Sequence, residues 1–150
     1  MNLKETLRSA GTVLVIDWPT RDIPESLALA GFRVVVWGGP GPEDYSAYEL
    51  KDGTVITSRI GHPPRSADLI YAYRPFSELP EIIATAKRLG ASTIWTQSGL
   101  SPDGRRDTRG CWVQEDELRA ARELVQSAGL NHVSEPYLGD VARKLKASSL

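Results

Sequence analysis

The chain is poor in the residues that build covalent or metal-held scaffolds. Its 150 residues include one cysteine, Cys111, and two histidines, His62 and His132. A lone cysteine excludes an internal disulfide and any multi-thiolate metal site within one chain. His62 sits among prolines and His132 in a short apolar run, and neither has a metal-ligand spacing or a triad partner in sequence. Cys111 precedes the longest amphipathic segment, but no histidine or second cysteine lies close to it, so it reads as a semi-buried thiol rather than a nucleophile. With no nucleophile–base pair and no metal cluster visible, catalysis is the weakest of the functions open to the chain.

An excess of positive charge is also missing. Eighteen basic residues stand against nineteen acidic ones, for a formal net charge of −1. Counterion release therefore cannot drive strong non-specific nucleic-acid binding by the whole surface. No apolar run approaches the length of a membrane span. Met1 to Thr6 leads into no apolar segment of the kind a secretion signal carries, so a cytoplasmic location is expected.

What is present is a core. Hydrophobic residues make up 41% and charged residues 25%, a globular balance on a length that suits one domain over residues 1–150. Val13 to Ile16, Phe32 to Trp37, Leu69 to Tyr73 and Thr93 to Thr96 are near-continuous apolar runs, as expected of strands buried on both faces of a parallel sheet. Between them lie helical patterns. Leu3 and Leu7 suggest a short helix ending at Gly11. Pro24 at a first helical position opens another over Glu25 to Ala30. Leu79, Ile82, Ile83 and Ala86 predict a third, with Ser77 as N-cap and Gly90 as its stop. Leu118, Ala121, Leu124 and Val125 line one face of a helix over Glu115 to Ala128. Asn131 to Val133 and Val141 to Leu145 complete the pattern as a short strand and a last helix. The alternation is broken once: Tyr45 to Leu50 and Thr54 to Ser58 flank Asp52-Gly53, a strong hairpin signal. Tyr45, Tyr48, Val55 and Ile56 on that hairpin are candidates to cover a sheet edge or to meet a second subunit, as a homo-oligomer or with another protein partner.

The segments Ala67-Asp68-Leu69-Ile70-Tyr71-Ala72-Tyr73-Arg74-Pro75 and Ala91-Ser92-Thr93-Ile94-Trp95-Thr96-Gln97-Ser98-Gly99-Leu100 resemble two strand ends of the stand-alone coenzyme A-binding domain family, related to the nucleotide domain of succinyl-CoA ligases. The helix closing on Ser127-Ala128-Gly129-Leu130 fits the same pattern. The resemblance follows the order of elements from about residue 11 to 145 and is specific between 67 and 100. It implies an α/β, Rossmann-like three-layer fold, a parallel sheet with helices on both faces and one β-hairpin insertion, and coenzyme A or a related adenine nucleotide as ligand. Two departures fall at the ligand side. Asp17-Trp18-Pro19-Thr20 stands where the family has a Gly-x-Ser loop, and Gly38-Gly39-Pro40-Gly41-Pro42 stands where it has Asn-Pro.

Ligands of open parallel sheets bind outside the carboxyl ends of the strands. The cofactor-binding candidates are therefore Asp17, Arg21, Trp37, Gly38, Arg74, Pro75, Gln97, Ser98 and Gly99. Arg74 can pair with a phosphate or with a neighbouring carboxylate, and Gly99 can admit a ligand to the backbone or simply turn the chain. Arg21 can offset the Asp17 charge or be held by Asp17 or Asp22. Trp37 and Trp95 belong to the core or stack on an adenine-like ring. Arg105, Arg106 and Arg109 share a loop with Asp103 and Asp107, which lowers the local field. Two functions follow: a small-molecule binding module for coenzyme A or an adenine nucleotide, or an interaction domain that kept the fold and lost the ligand.

Overall fold

The structure is a computed structural model that describes residues 11–17, 21–38, 41–74, 76–96 and 115–134, together with 138, 141, 142 and 144. The expected helix before Gly11 and the polar stretch 97–110 lie outside the described residues. Seven strands form one sheet: β1 (Thr12–Ile16), β2 (Arg33–Trp37), β3 (Tyr45–Lys51), β4 (Thr54–Arg59), β5 (Leu69–Ala72), β6 (Thr93–Thr96) and β7 (Asn131–Val133). Their order is β4-β3-β2-β1-β5-β6-β7. β1 is parallel to β2 and β5, β6 is parallel to β5, and β7 is parallel to β6. β3 and β4 run antiparallel at one end. The fold is therefore an α/β Rossmann-like sheet with a parallel core and one hairpin.

The apolar runs become strands because both sheet faces are covered. Val13, Val15, Val34, Tyr71 and Trp95 point to one face, under helix α1 (Asp22–Leu29) and the helical residues around Leu138 and Ala142. Leu14, Ile16, Val35, Ile70 and Ile94 point to the other, under α2 (Leu79–Leu89) and α3 (Glu115–Ser127). Every residue of β5 and β6 is buried, so these strands carry no polar–apolar alternation. The Asp68 carboxylate accepts hydrogen bonds from the backbone N–H groups of Gly11, at 2.8 Å, and Thr12, at 2.9 Å. That fixes the start of β5 beside the start of β1 and brings their ends level.

The helices depart from the sequence reading in three places, two at their starts and one on a buried face. Pro24 is the third residue of α1, not the first; it is tolerated because the first-turn N–H groups have no intrahelical partner. Ser77 is not the N-cap of α2. It lies in a 3-10 turn, Phe76–Glu78, and the cap position falls to Glu78, which makes no capping side-chain bond. Leu124 of α3 is 44% exposed, while Ala121 and Val125 alone are buried on that helix. Gly90 ends α2 in the left-handed region as expected.

The hairpin forms as the sequence predicts, with Lys51 opposite Thr54 and both turn residues, Asp52 and Gly53, at positive φ. That is the two-residue turn whose twist matches the strands. Gly53 at φ +78 has open space around it, so Gly53→Ala costs only the backbone term, about 1 kcal/mol. Urea unfolding is expected to show that loss, and Gly53→Asn, a residue that accepts this conformation, is expected to lose less.

Candidate functional site

Going outward from β1, the chain continues one way into β2 and returns on the other side as β5, so the crevice between the carboxyl ends of β1 and β5 is the topological switch point of the sheet. Asp17 follows β1 directly, and Arg74 lies two residues beyond β5. An ion pair spans the crevice: Arg74 Nη1 donates to Asp17 Oδ2 at 2.5 Å. From the other side Glu78 grips the same guanidinium in a two-point fork, with Arg74 Nη2 donating to Oε1 at 2.7 Å and Nε donating to Oε2. Of the two fates open to Arg74, pairing with carboxylates is the one adopted. The fork, and then the Asp17 contact, hold the Arg74 guanidinium protonated even more firmly than usual, and they hold the Glu78 carboxyl below the usual carboxylate range. The groups remain between one third and one half exposed, so water screens the cluster.

Asp17 itself stands at φ +58. This is the left-handed region, which glycine enters freely and aspartate only at some cost. Asp17 thus holds, with a carboxylate added, a backbone conformation that glycine would adopt without strain. The Asp17 N–H is already bonded to the Trp37 carbonyl at 2.9 Å, and the Gly38 N–H to the Asp44 carbonyl at 3.1 Å. Neither amide is free to face a ligand.

A cleft of about 450 Å³ opens at this point, lined by Ile16, Asp17, Trp37, Gly38, Arg74, Glu78, Glu81, Ile82 and Thr85. Four of the candidate residues, Asp17, Trp37, Gly38 and Arg74, meet there. Pro75, Gln97, Ser98 and Gly99 lie outside the described residues. Arg21 does not join them. Its guanidinium is turned to the hairpin, bonded to Glu25 at 2.9 Å and to Thr57 Oγ1 at 3.1 Å, and it lies 5.5 Å from the Tyr48 ring centre. Trp37 stacks on Tyr45 with ring centres 5.8 Å apart and donates its indole N–H to the Gly41 carbonyl. Trp95 is fully buried in the core. The sequence did not mark Glu78, Glu81 and Thr85, and it marked Ile82 only as a helix core position. The signal for Glu78 was its place four residues after Arg74.

The comparisons with known proteins bear on this geometry. The family model for the CoA binding domain matches residues 23–138. The chain belongs to the CoA binding domain family. A solved structure, that of cell-free ID.343 from Thermus thermophilus, is similar with a TM-score of 0.58 and 22% sequence identity, over 97% of this chain and 99% of that one; the likeness shows a shared fold. None of the curated proteins matches the sequence.

Membership in this family does not by itself make the cleft complementary to a diphosphate. Its described walls carry three carboxylates, Asp17, Glu78 and Glu81, and one guanidinium. The cleft lies at the strand ends, where open parallel sheets place their ligands, whereas its charge in this conformation opposes a phosphate.

A second polar contact lies elsewhere on the sheet. Thr96 Oγ1, at the end of β6, and His132 Nε2, in the middle of β7, are 2.8 Å apart. A hydroxyl beside an imidazole, 36 positions apart in the chain, was not visible as a pair in sequence. Both side chains are buried, at 3% and 7% exposure, so the contact packs the sheet and offers no nucleophile to solvent. Burial, reinforced by Arg122, pushes His132 down to about 4. The unfolded chain, with a histidine near 6.5, therefore binds a proton that the folded chain refuses between pH 6.5 and 4. Stability contributed by neutral His132 is complete above pH 6.5 and falls by about 3 kcal/mol as the pH drops to 4. Urea unfolding across this range is expected to show that decline. His132→Asn should flatten it, leaving the loss at lower pH that comes from protonating Glu78.

Proposed function

We propose that the chain is a small-molecule binding module for coenzyme A or a related adenine nucleotide, and that the ligand must take Arg74 from Asp17 to bind. The observation that carries this reading is the cleft at the β1–β5 switch point, where Asp17, Trp37, Gly38 and Arg74 converge. Two of the five guanidinium N–H groups remain unused by Glu78 and Asp17. Among the described residues of the cleft, Arg74 is thus the cation available to a phosphate, with Glu78 fixing its orientation. Asp17 competes for the same guanidinium and repels the ligand's charge. Affinity is therefore low in the native chain and rises when Asp17 is removed. The second reading, an interaction domain that kept the fold and lost the ligand, is favoured by the excess of carboxylates on the cleft walls.

Calorimetry with coenzyme A distinguishes the two. The native protein is expected to bind weakly. Asp17→Gly removes the carboxylate and relieves the positive-φ backbone, and is expected to tighten binding about tenfold or more, the scale of one charge-assisted contact. Arg74→Ala is expected to abolish the gain when added to Asp17→Gly. Tight native binding that Asp17→Gly leaves unchanged would contradict competition for Arg74. No binding by the native protein or by Asp17→Gly would favour the interaction-domain reading.

A further inference from the structure

The outer strand of the hairpin carries an inference that does not rest on the ligand. β4 ends the sheet, and its residues Thr54–Arg59 are exposed, apart from half-buried Val55. The ladder to β3 runs without a bulge from Ser46↔Arg59 to Lys51↔Thr54. In a two-residue hairpin the flanking pair, Lys51 and Thr54, is the hydrogen-bonded one. Alternation then turns the backbone groups of Thr54, Ile56 and Ser58 inward, and the Ile60 N–H continues that row by donating to the Tyr45 carbonyl at 3.0 Å. The N–H and C=O groups of Val55 and Thr57 face outward.

Sheet edges are usually blunted by charged side chains, proline, a bulge or a cover. In Thr-Val-Ile-Thr-Ser-Arg the one charge is Arg59, at the strand's end, and there is neither a proline nor a bulge. It is rich in β-branched residues, and Ile56 is 45% exposed on it.

We propose that β4 is a homodimerisation edge, pairing antiparallel with β4 of a second copy about a two-fold axis at Ile56. The sequence is complementary to itself in this register. Val55 meets the other copy's Thr57, and Thr57 meets its Val55, each pair exchanging two backbone hydrogen bonds through the outward-facing groups. On the opposite face the two Ile56 side chains meet in a close, non-hydrogen-bonded pair, flanked by Thr54 against Ser58 on both sides. Cross-strand pairs of these types are stabilising, and no like charges are opposed. At each end Arg59 comes beside the second copy's Gly53 and Asp52. Neither Arg59 nor Asp52 has an ion-pair partner among the described residues. A slip to either neighbouring register sets Ile56 against serine or threonine instead. A foreign strand would have to supply this same pattern, whereas a second copy already has it.

The test is sedimentation velocity over a concentration series. The native chain is expected to show a reversible species of twice the 16.4 kDa chain mass, and Ile56→Lys, which opposes two like charges across the axis, is expected to remain monomeric. In a Cys111→Ser background, Ile56→Cys is expected to form a disulfide-linked dimer under mild oxidation, because a directly opposed antiparallel pair suits disulfide geometry. Thr57→Cys, which faces Val55 rather than itself, is expected to crosslink poorly. A native chain that stays monomeric throughout, with or without capture of a foreign extended peptide, overturns the proposal. So does a dimer that Ile56→Lys leaves intact, or crosslinking of Thr57→Cys as readily as Ile56→Cys.

Discussion

The pairing of β1 with β2 on one side and β5 on the other sets the strand ends that carry Asp17, Trp37, Gly38 and Arg74 around one crevice. A strand hydrogen-bonded in parallel on both edges must return its neighbours by crossovers, and the point where the chain changes side leaves a crevice at the carboxyl ends. Asp17 is the first residue out of β1, held by its N–H to the Trp37 carbonyl at the end of β2. Arg74 leaves β5 on the other side. Their ion pair closes the crevice from strand end to strand end, and the apolar walls behind it are the same side chains that hold the sheet to α2.

The electrostatics of the cluster follow from that geometry. Glu78 is brought to Arg74 by the short 3-10 turn ahead of α2, four residues on, and grips the guanidinium by its edge. Asp17 reaches the remaining side of the same group from 57 positions away. A guanidinium facing two carboxylates leaves no net positive charge in the absence of ligand, so although two of its N–H groups stay open, its attraction for a phosphate depends on exchange of one partner. Glu78 makes two contacts and belongs to the same local turn. Asp17 makes one and sits in a backbone conformation that disfavours a side chain. Under the proposed reading Asp17 is therefore the partner that exchanges at lower cost.

Much of the fold was legible because parallel strands buried on both faces are written as unbroken apolar runs. Val13 to Ile16, Leu69 to Ala72 and Thr93 to Thr96 stand out for that reason, and Asp52-Gly53 carries its turn in its two residues. Helix details were less legible. A serine two residues before an apolar face looks like a cap, but the 3-10 turn over Phe76–Glu78 moved the start of α2 past Ser77. The spacing of Leu124 could not show that α3 buries only a narrow stripe. At the site, strand ends pointed to Asp17, Trp37, Gly38 and Arg74, because sheet topology puts ligand crevices there. What sequence could not supply was adjacency: nothing in the spacing says that β1 and β5 are neighbours, so the choice of Arg74 between a phosphate and Asp17 stayed open until the strands were paired. The same gap hid the Thr96–His132 contact and left Arg21 facing the wrong elements.

The central claim, that a ligand exchanges with Asp17 for Arg74, is tested most directly on the guanidinium itself. The Arg74 Nε–H, held by Glu78, gives a proton–nitrogen NMR signal that Arg74→Lys assigns by its loss. Titration of the native protein with coenzyme A is expected to shift this signal progressively, and the same shift should be reached at lower ligand concentration in Asp17→Asn, which keeps the side chain's size and removes its charge. A signal that does not move while other resonances report saturation by coenzyme A would contradict the account, because the ligand would then bind without engaging Arg74.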